Sequence, residues 1–104
     1  MRRKNPNVIS AGSLRDVYPS QGRFEAKMMI ETRASISTER VEVSMRNSDG
    51  ERMKYSAKRW GTKVNLVFDI GPDTPDGLSI IDITMYPYKG ESTRERLSFW
   101  VVKD

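Results

Sequence analysis

Apolar residues recur at every second position over much of this 104-residue chain, the period of a β-strand with one face buried and the other in water. Phe24, Ala26, Met28 and Ile30 alternate with Arg23, Glu25, Lys27 and Glu31, and Met29 is the exception in that run. Val41, Val43 and Met45 alternate with Arg40, Glu42, Ser44 and Arg46, and Val64, Leu66, Phe68 and Ile70 stand opposite Lys63, Asn65 and Asp69. After Pro75-Asp76-Gly77, the row Ser79, Ile81, Ile83 and Met85 follows. A polar bend at Lys89-Gly90-Glu91-Ser92 then leads to Leu97, Phe99 and Val101. No apolar window favours a 3.6-residue period, and β-branched and aromatic residues dominate the strands, so helices are not expected.

The connections carry turn chemistry. Val8, Ile9, Leu14 and Val17 predict a short or broken first strand interrupted at Ala11-Gly12, and Tyr18-Pro19-Ser20-Gln21-Gly22 reads as a turn. Arg33 to Thr38 is a polar connection with Ile36 as a plug. Asn47-Ser48-Asp49-Gly50 carries the Asp-Gly signal of a tight hairpin, which predicts that the next strand pairs antiparallel to its predecessor with Met53 and Tyr55 inward. Lys58-Arg59-Trp60-Gly61 is expected to turn the chain, and two prolines and two glycines between Gly71 and Gly77 break it decisively. About seven short strands at regular spacing predict an all-β, antiparallel two-sheet sandwich.

The order of the last signals is a glycine-containing turn, an alternating strand, a glycine-containing bend, and an alternating strand ending in Trp100-Val101-Val102. That order resembles the last two strands of bacterial and phage immunoglobulin-like domains, and the likeness extends over Val8 to Val102. The resemblance implies an immunoglobulin-like β-sandwich and no activity. There is no antibody-type cysteine pair, and Ser79 stands where many such domains carry the tyrosine of the tyrosine corner, so the likeness is to the looser fibronectin-type-III-like sandwiches. A five-stranded oligonucleotide-binding barrel is the rival fold.

Composition narrows the chemistry. Hydrophobic residues make up 37% and charged residues 31%, which suits a thin sandwich with one buried face per sheet. Without cysteine there is neither a disulfide nor thiolate chemistry, and without histidine the usual general base near neutral pH is missing. No enzyme is expected, no catalytic residue or cofactor is assigned, and no metal site is read. The carboxylates Asp69, Asp73, Asp76 and Asp82 fall on turns or outward positions. Of the formal charge of +4, Arg2, Arg3 and Lys4 supply most. Residues 1–7 are accordingly read as a flexible basic arm and residues 8–104 as the domain. No stretch has the length of a signal peptide's apolar core or of a membrane span, so the expected location is a virion or the cytoplasm.

The candidate contact residues are Arg2, Arg3 and Lys4 in the arm and the aromatics Trp60, Tyr86, Tyr88 and Trp100. Alternation puts Tyr86, Tyr88 and Trp100 on the face opposite the core rows, where aromatics stack on a sugar or base or anchor a protein contact. For Trp100, partial burial or a contact between subunits, including a homo-oligomer, is favoured. Lys58-Arg59, Arg94 and Arg96 add basic groups, but glutamates interrupt them, and nucleic acid is disfavoured as a partner. The leading expectation is a non-catalytic module acting through protein contacts, an accessory or decoration protein of a phage virion with a capsid or other virion protein as partner. The alternative is a carbohydrate-binding or adhesive module of a larger surface protein, with Trp60, Tyr86 and Tyr88 as the stacking platform.

Overall fold

The computed structural model describes residues 7–10, 12–32 and 38–103. Eight strands form, and no helix is present among the described residues. They are β1 (Asn7–Ser10), β2 (Val17–Pro19), β3 (Gly22–Thr32), β4 (Thr38–Arg46), β5 (Tyr55–Trp60), β6 (Lys63–Ile70), β7 (Gly77–Pro87) and β8 (Thr93–Val102). One sheet runs β1-β3-β6-β5 and the other β2-β8-β7-β4. All neighbours are antiparallel except β2 and β8, which run parallel. The first sheet has the A-B-E-D order of an immunoglobulin-type sandwich, and β4, β7 and β8 have its C-F-G order. The expected immunoglobulin-like sandwich is therefore observed, with the broken first strand divided between the two sheets.

The inward rows form the core as alternation predicts. Ala26, Met28 and Ile30 of β3 and Val64, Leu66, Phe68 and Ile70 of β6 are buried against Ser79, Ile81, Ile83 and Met85 of β7 and Phe99 and Val101 of β8. The register makes this possible: Phe24 faces Phe68 across β3 and β6, and Ile81 faces Leu97 across β7 and β8. Residues opposite one another lie on the same side of their sheet, so one inward residue in each strand fixes the phase of its neighbours.

Tyr18 departs from its expected turn role. It is 1% exposed and stands at the centre of an aromatic cluster, with ring centroids 4.9 Å from Phe24, 5.2 Å from Phe68 and 5.1 Å from Phe99. Val17, expected in the broken first strand, does belong to β2, where it points outward. The parallel pairing of Val17 with Trp100 and Tyr18 with Val101 sets that phase, since Val101 is itself an inward residue.

The Asp-Gly turn forms, but its second arm is not paired as expected. Gly50 N–H donates to the Asn47 carbonyl at 3.0 Å, and the Asn47 side-chain oxygen accepts from the amides of Asp49 and Glu51. Pairing with β4 then ends after the single Arg46–Arg52 bridge, and β5 joins β6 in the other sheet. Two contacts account for the crossing. Ser48 Oγ donates to the Asp76 carbonyl at 2.8 Å, tying the turn to the start of β7, and Met53 is buried between the layers as the chain crosses. Met53 is thus inward as expected, whereas Tyr55 is substantially exposed and sends its hydroxyl to the Val43 carbonyl. Lys58, Arg59 and Trp60 belong to β5; the reversal itself is Gly61-Thr62, anchored by Ile30 N–H to the Thr62 carbonyl at 2.7 Å.

Candidate functional site

The sheet assignment separates the aromatics that the sequence offers as one platform. Trp60 points outward from β5, with Lys58 and Ser56 on the same side. Tyr86 points outward from β7 in the other sheet, so it and Trp60 occupy opposite outer faces of the sandwich. Tyr86 is also engaged: the Arg40 guanidinium lies over its ring at 4.2 Å, and its hydroxyl donates to Glu42 Oε2 at 3.2 Å. Tyr88 follows the end of β7 and is 66% exposed. Arg2, Arg3 and Lys4 lie outside the described residues.

Trp100 has company that the sequence reading missed. It pairs with Val17 of β2 on one side and Leu78 of β7 on the other, giving a cross-strand row of three outward apolar residues. Val102 extends the row along β8. Trp100 is 52% exposed, Val17 51% and Val102 48%, and Leu78 is also exposed. Directly opposed side chains in a sheet have Cβ atoms about 4.5–5.5 Å apart, so these residues form one surface. The rest of the face is polar, with Arg96 Nε donating to Asp82 Oδ1 at 2.8 Å and the Arg40–Tyr86–Glu42 group at the far end. Tyr86 lies eight residues along β7 from Leu78, roughly 26 Å at the rise of a strand, and so outside this patch. The signal in the sequence was the out-of-phase apolar residue: Leu78 and Val102, like Trp100, fall on wet positions of strands whose inward rows are already complete.

A second feature lies on the outer face of the other sheet. The register places Trp60, Lys63 and Met29 in one cross-strand row and Lys58, Asn65 and Lys27 in the next. A groove of about 620 Å³ runs between β3 and β6 beside Trp60, and a second of about 370 Å³ lies on the β5 side, with Trp60 and Asn65 lining both. One wall is positioned by the crossing from β1 to β2. There Ser13 N–H donates to the Lys27 carbonyl at 3.1 Å while Lys27 N–H donates to Ser13 Oγ at 2.8 Å. Met29, the exception to the alternation of β3, is exposed here beside Lys63.

The carboxylates do not converge. Asp69 is on the outer face of β6, where Arg23 Nε donates to its Oδ1 at 2.9 Å, and Asp82 is on the other sheet against Arg96. The hydrogen bond and charge of Arg23 hold the Asp69 carboxyl below the ordinary carboxylate range, and Asp69 raises the Arg23 guanidinium in turn. The Arg96 guanidinium is likewise raised by its hydrogen bond to Asp82. Asp73 and Asp76 sit exposed in the connection between β6 and β7. Among the described residues, no group of three or more aspartates or glutamates is placed to hold a metal ion.

Comparison with solved structures agrees with the topology. The fold is immunoglobulin-like. The Lin-41 filamin domain superposes with a TM-score of 0.61 at 15% identity, covering 93% of this chain and 92% of that one. CopC from Methylosinus trichosporium OB3b gives a TM-score of 0.57 at 15% identity over 90% of this chain and 86% of its own. The periplasmic chaperone SfaE gives 0.57 at 13% identity, over 92% of this chain and 57% of its own. Identities this low carry the fold alone. No protein-family model and no curated protein matches the chain. No helix is long and apolar enough to cross a membrane among the described residues.

Proposed function

We propose that this immunoglobulin-like domain is a non-catalytic interaction module that docks a partner protein through the Val17–Trp100–Leu78 row. The single observation that carries this reading is the row itself. An indole and three aliphatic side chains lie side by side on the solvent face of a sheet whose other face is already packed. An aromatic anchor with apolar neighbours and a polar surround is the anatomy of an interface centre, where truncating one residue costs at least about 2 kcal/mol of binding. The non-catalytic part is supported by the fate of the carboxylates, since Asp69 and Asp82 are each paired with arginine and stand on opposite outer faces.

The accessory role on a phage particle expected from the sequence makes a capsid protein the first partner to offer to this face. The test is affinity capture from the native source with the wild-type chain, Trp100→Ser, Leu78→Ser and Trp60→Ala, each checked for folding by circular dichroism. One partner retained by wild type and Trp60→Ala but reduced at least tenfold by Trp100→Ser and Leu78→Ser is the expected result. Capture indifferent to Trp100 and Leu78 overturns the reading. A concentration-dependent dimer abolished by Trp100→Ser identifies the partner as a second copy.

A further inference from the structure

We propose that the outer face of β3, β6 and β5 is a binding site for an acidic oligosaccharide, with Trp60 as the stacking surface and Lys27, Lys58 and Lys63 as the counter-charges. This site is independent of the Trp100 row, because the two occupy opposite outer faces of the sandwich.

Two observations select this ligand chemistry. Trp60 is 60% exposed at the edge of two adjoining grooves, so its ring is presented to a ligand lying in either. An indole face accepts the apolar C–H face of a pyranose as readily as it accepts a base, and neighbouring Met29 extends the apolar wall. Around this wall stand three lysines whose charge is little compensated: Lys27 has only a loose contact with Glu25 at 3.9 Å, and Lys58 and Lys63 form no ion pair among the described residues. An anionic group on the ligand supplies the missing partner.

The combination of one exposed indole with weakly compensated lysines favours an acidic sugar over its rivals. A neutral glycan leaves the lysines unanswered. A single-stranded nucleic acid needs successive aromatics along a positive groove, and this face offers one indole and carries Glu25 and Asp69 among its cations. The outward residues of β6 from Lys63 to Asp69 span about 20 Å at the rise of a strand, room for a short oligomer lying along the sheet.

The experiment is titration of the full chain with a panel of galacturonate, mannuronate and hyaluronan tetrasaccharides and sialyllactose, followed by calorimetry and by the indole N–H signals in proton–nitrogen spectra. Maltotetraose and a thymidine tetranucleotide serve as neutral and nucleic-acid controls. We expect at least one acidic member to bind tenfold or more tightly than maltotetraose and to shift the Trp60 indole signal but not that of Trp100. Trp60→Ala should weaken binding at least tenfold, and Lys63→Gln several-fold, while Trp100→Ser leaves it unchanged. Because Trp60 is a solvent-facing residue at a strand end, the amide spectrum of Trp60→Ala should remain that of the folded domain. No binding by any acidic member, equal binding of maltotetraose, binding indifferent to Trp60→Ala, or preferred binding of the tetranucleotide with steep salt dependence each overturns the proposal.

Discussion

Tyr18 stands edge-on to Phe68, 5.2 Å between ring centroids and 83° between planes, and so joins the two sheets through an aromatic contact at the centre of the core. Its hydroxyl, at the end of the same buried side chain, accepts the backbone N–H of Arg15 at 3.1 Å and fixes the segment that carries the chain from one sheet to the other. The two functions separate by substitution. Tyr18→Phe keeps the ring and strips the acceptor from Arg15, for an expected loss of about 1 kcal/mol. Tyr18→Ala also empties the centre of the cluster, for a loss of about 3–5 kcal/mol. Urea unfolding followed by tryptophan fluorescence measures both, and equal losses would mean that the ring contributes nothing beyond its hydroxyl.

Gly12 is the residue on which that crossing turns. Its φ of +57° lies in the left-handed region, and a Cβ built there falls 1.9 Å from the Lys27 carbonyl oxygen, which already accepts Ser13 N–H. Neither partner is a flexible side-chain end, so relief requires the crossing segment to lift off β3. Gly12→Ala is therefore expected to destabilise the domain by about 2–3 kcal/mol or more, within the range of strained-backbone and overpacking effects. Gly61→Ala is the control, since Gly61 also has a positive φ but its Cβ would meet open space. Thermal melts of the two variants should separate clearly, with Gly12→Ala the lower.

The Arg23–Asp69 pair predicts the direction of one titration. Arg23 donates to Asp69 and lowers its pKa, so the folded state holds this carboxyl below its unfolded value. A carboxyl shifted that way contributes stability above its unfolded pKa of about 3.9 and loses that contribution as the pH falls through the folded value. Arg23→Ala should move the Asp69 titration upward toward the ordinary carboxylate range in side-chain carbon spectra recorded from pH 2 to pH 7. The two proteins should converge in stability at the acid end. An Asp69 midpoint unchanged by Arg23→Ala would show that the pairing is not maintained in solution.

The parts of the fold that were legible in the sequence are those in which several residues repeat the same signal. A strand such as Val64–Ile70 declares its buried face four times over, and a one-residue slip would expose all four side chains, so periodicity and packing agree. Tyr18 had no such support. It lies in a strand of three residues ahead of Pro19, where turn chemistry is the louder local signal, and only pairing with β8 decides its phase. The Asn47–Gly50 turn was legible as a turn, but the destination of the chain after it depends on Ser48 meeting Asp76 and on Met53 entering the core, contacts distant in sequence. The candidate site divides similarly. Tyr86, Tyr88 and Trp100 could be named from alternation and Trp60 from its place beside Gly61, whereas the exposed Tyr55 was expected inward; that Trp60 stands apart from Tyr86, and that Trp100 lies between Val17 and Leu78, follows from sheet order and register. Among the groove residues Trp60 was named outright, and Met29 stood out as an apolar side chain on a wet face.

The free side of β4 yields the last prediction. Strand edges with open carbonyls invite pairing with another chain, and three carbonyls of this edge are capped by groups from beyond its own sheet. The Glu39 carbonyl accepts from Arg59 Nη1 at 2.9 Å, the Val43 carbonyl from the Tyr55 hydroxyl, and the Met45 carbonyl from Met53 N–H at 3.1 Å. Two of these donors are side chains of β5, which explains why Tyr55 and Arg59 occupy nominally inward positions of an exposed strand: they reach across the layers to cover the neighbouring edge. Tyr55→Phe keeps the ring while opening the Val43 carbonyl, with an expected stability loss of about 0.5–1.5 kcal/mol. Tyr55→Phe combined with Arg59→Gln opens two acceptors on this edge and should lower the temperature at which light scattering begins by more than it lowers the unfolding midpoint. If both temperatures fall together, the side chains stabilise the fold without guarding the edge, and protection comes from the position of β5 itself.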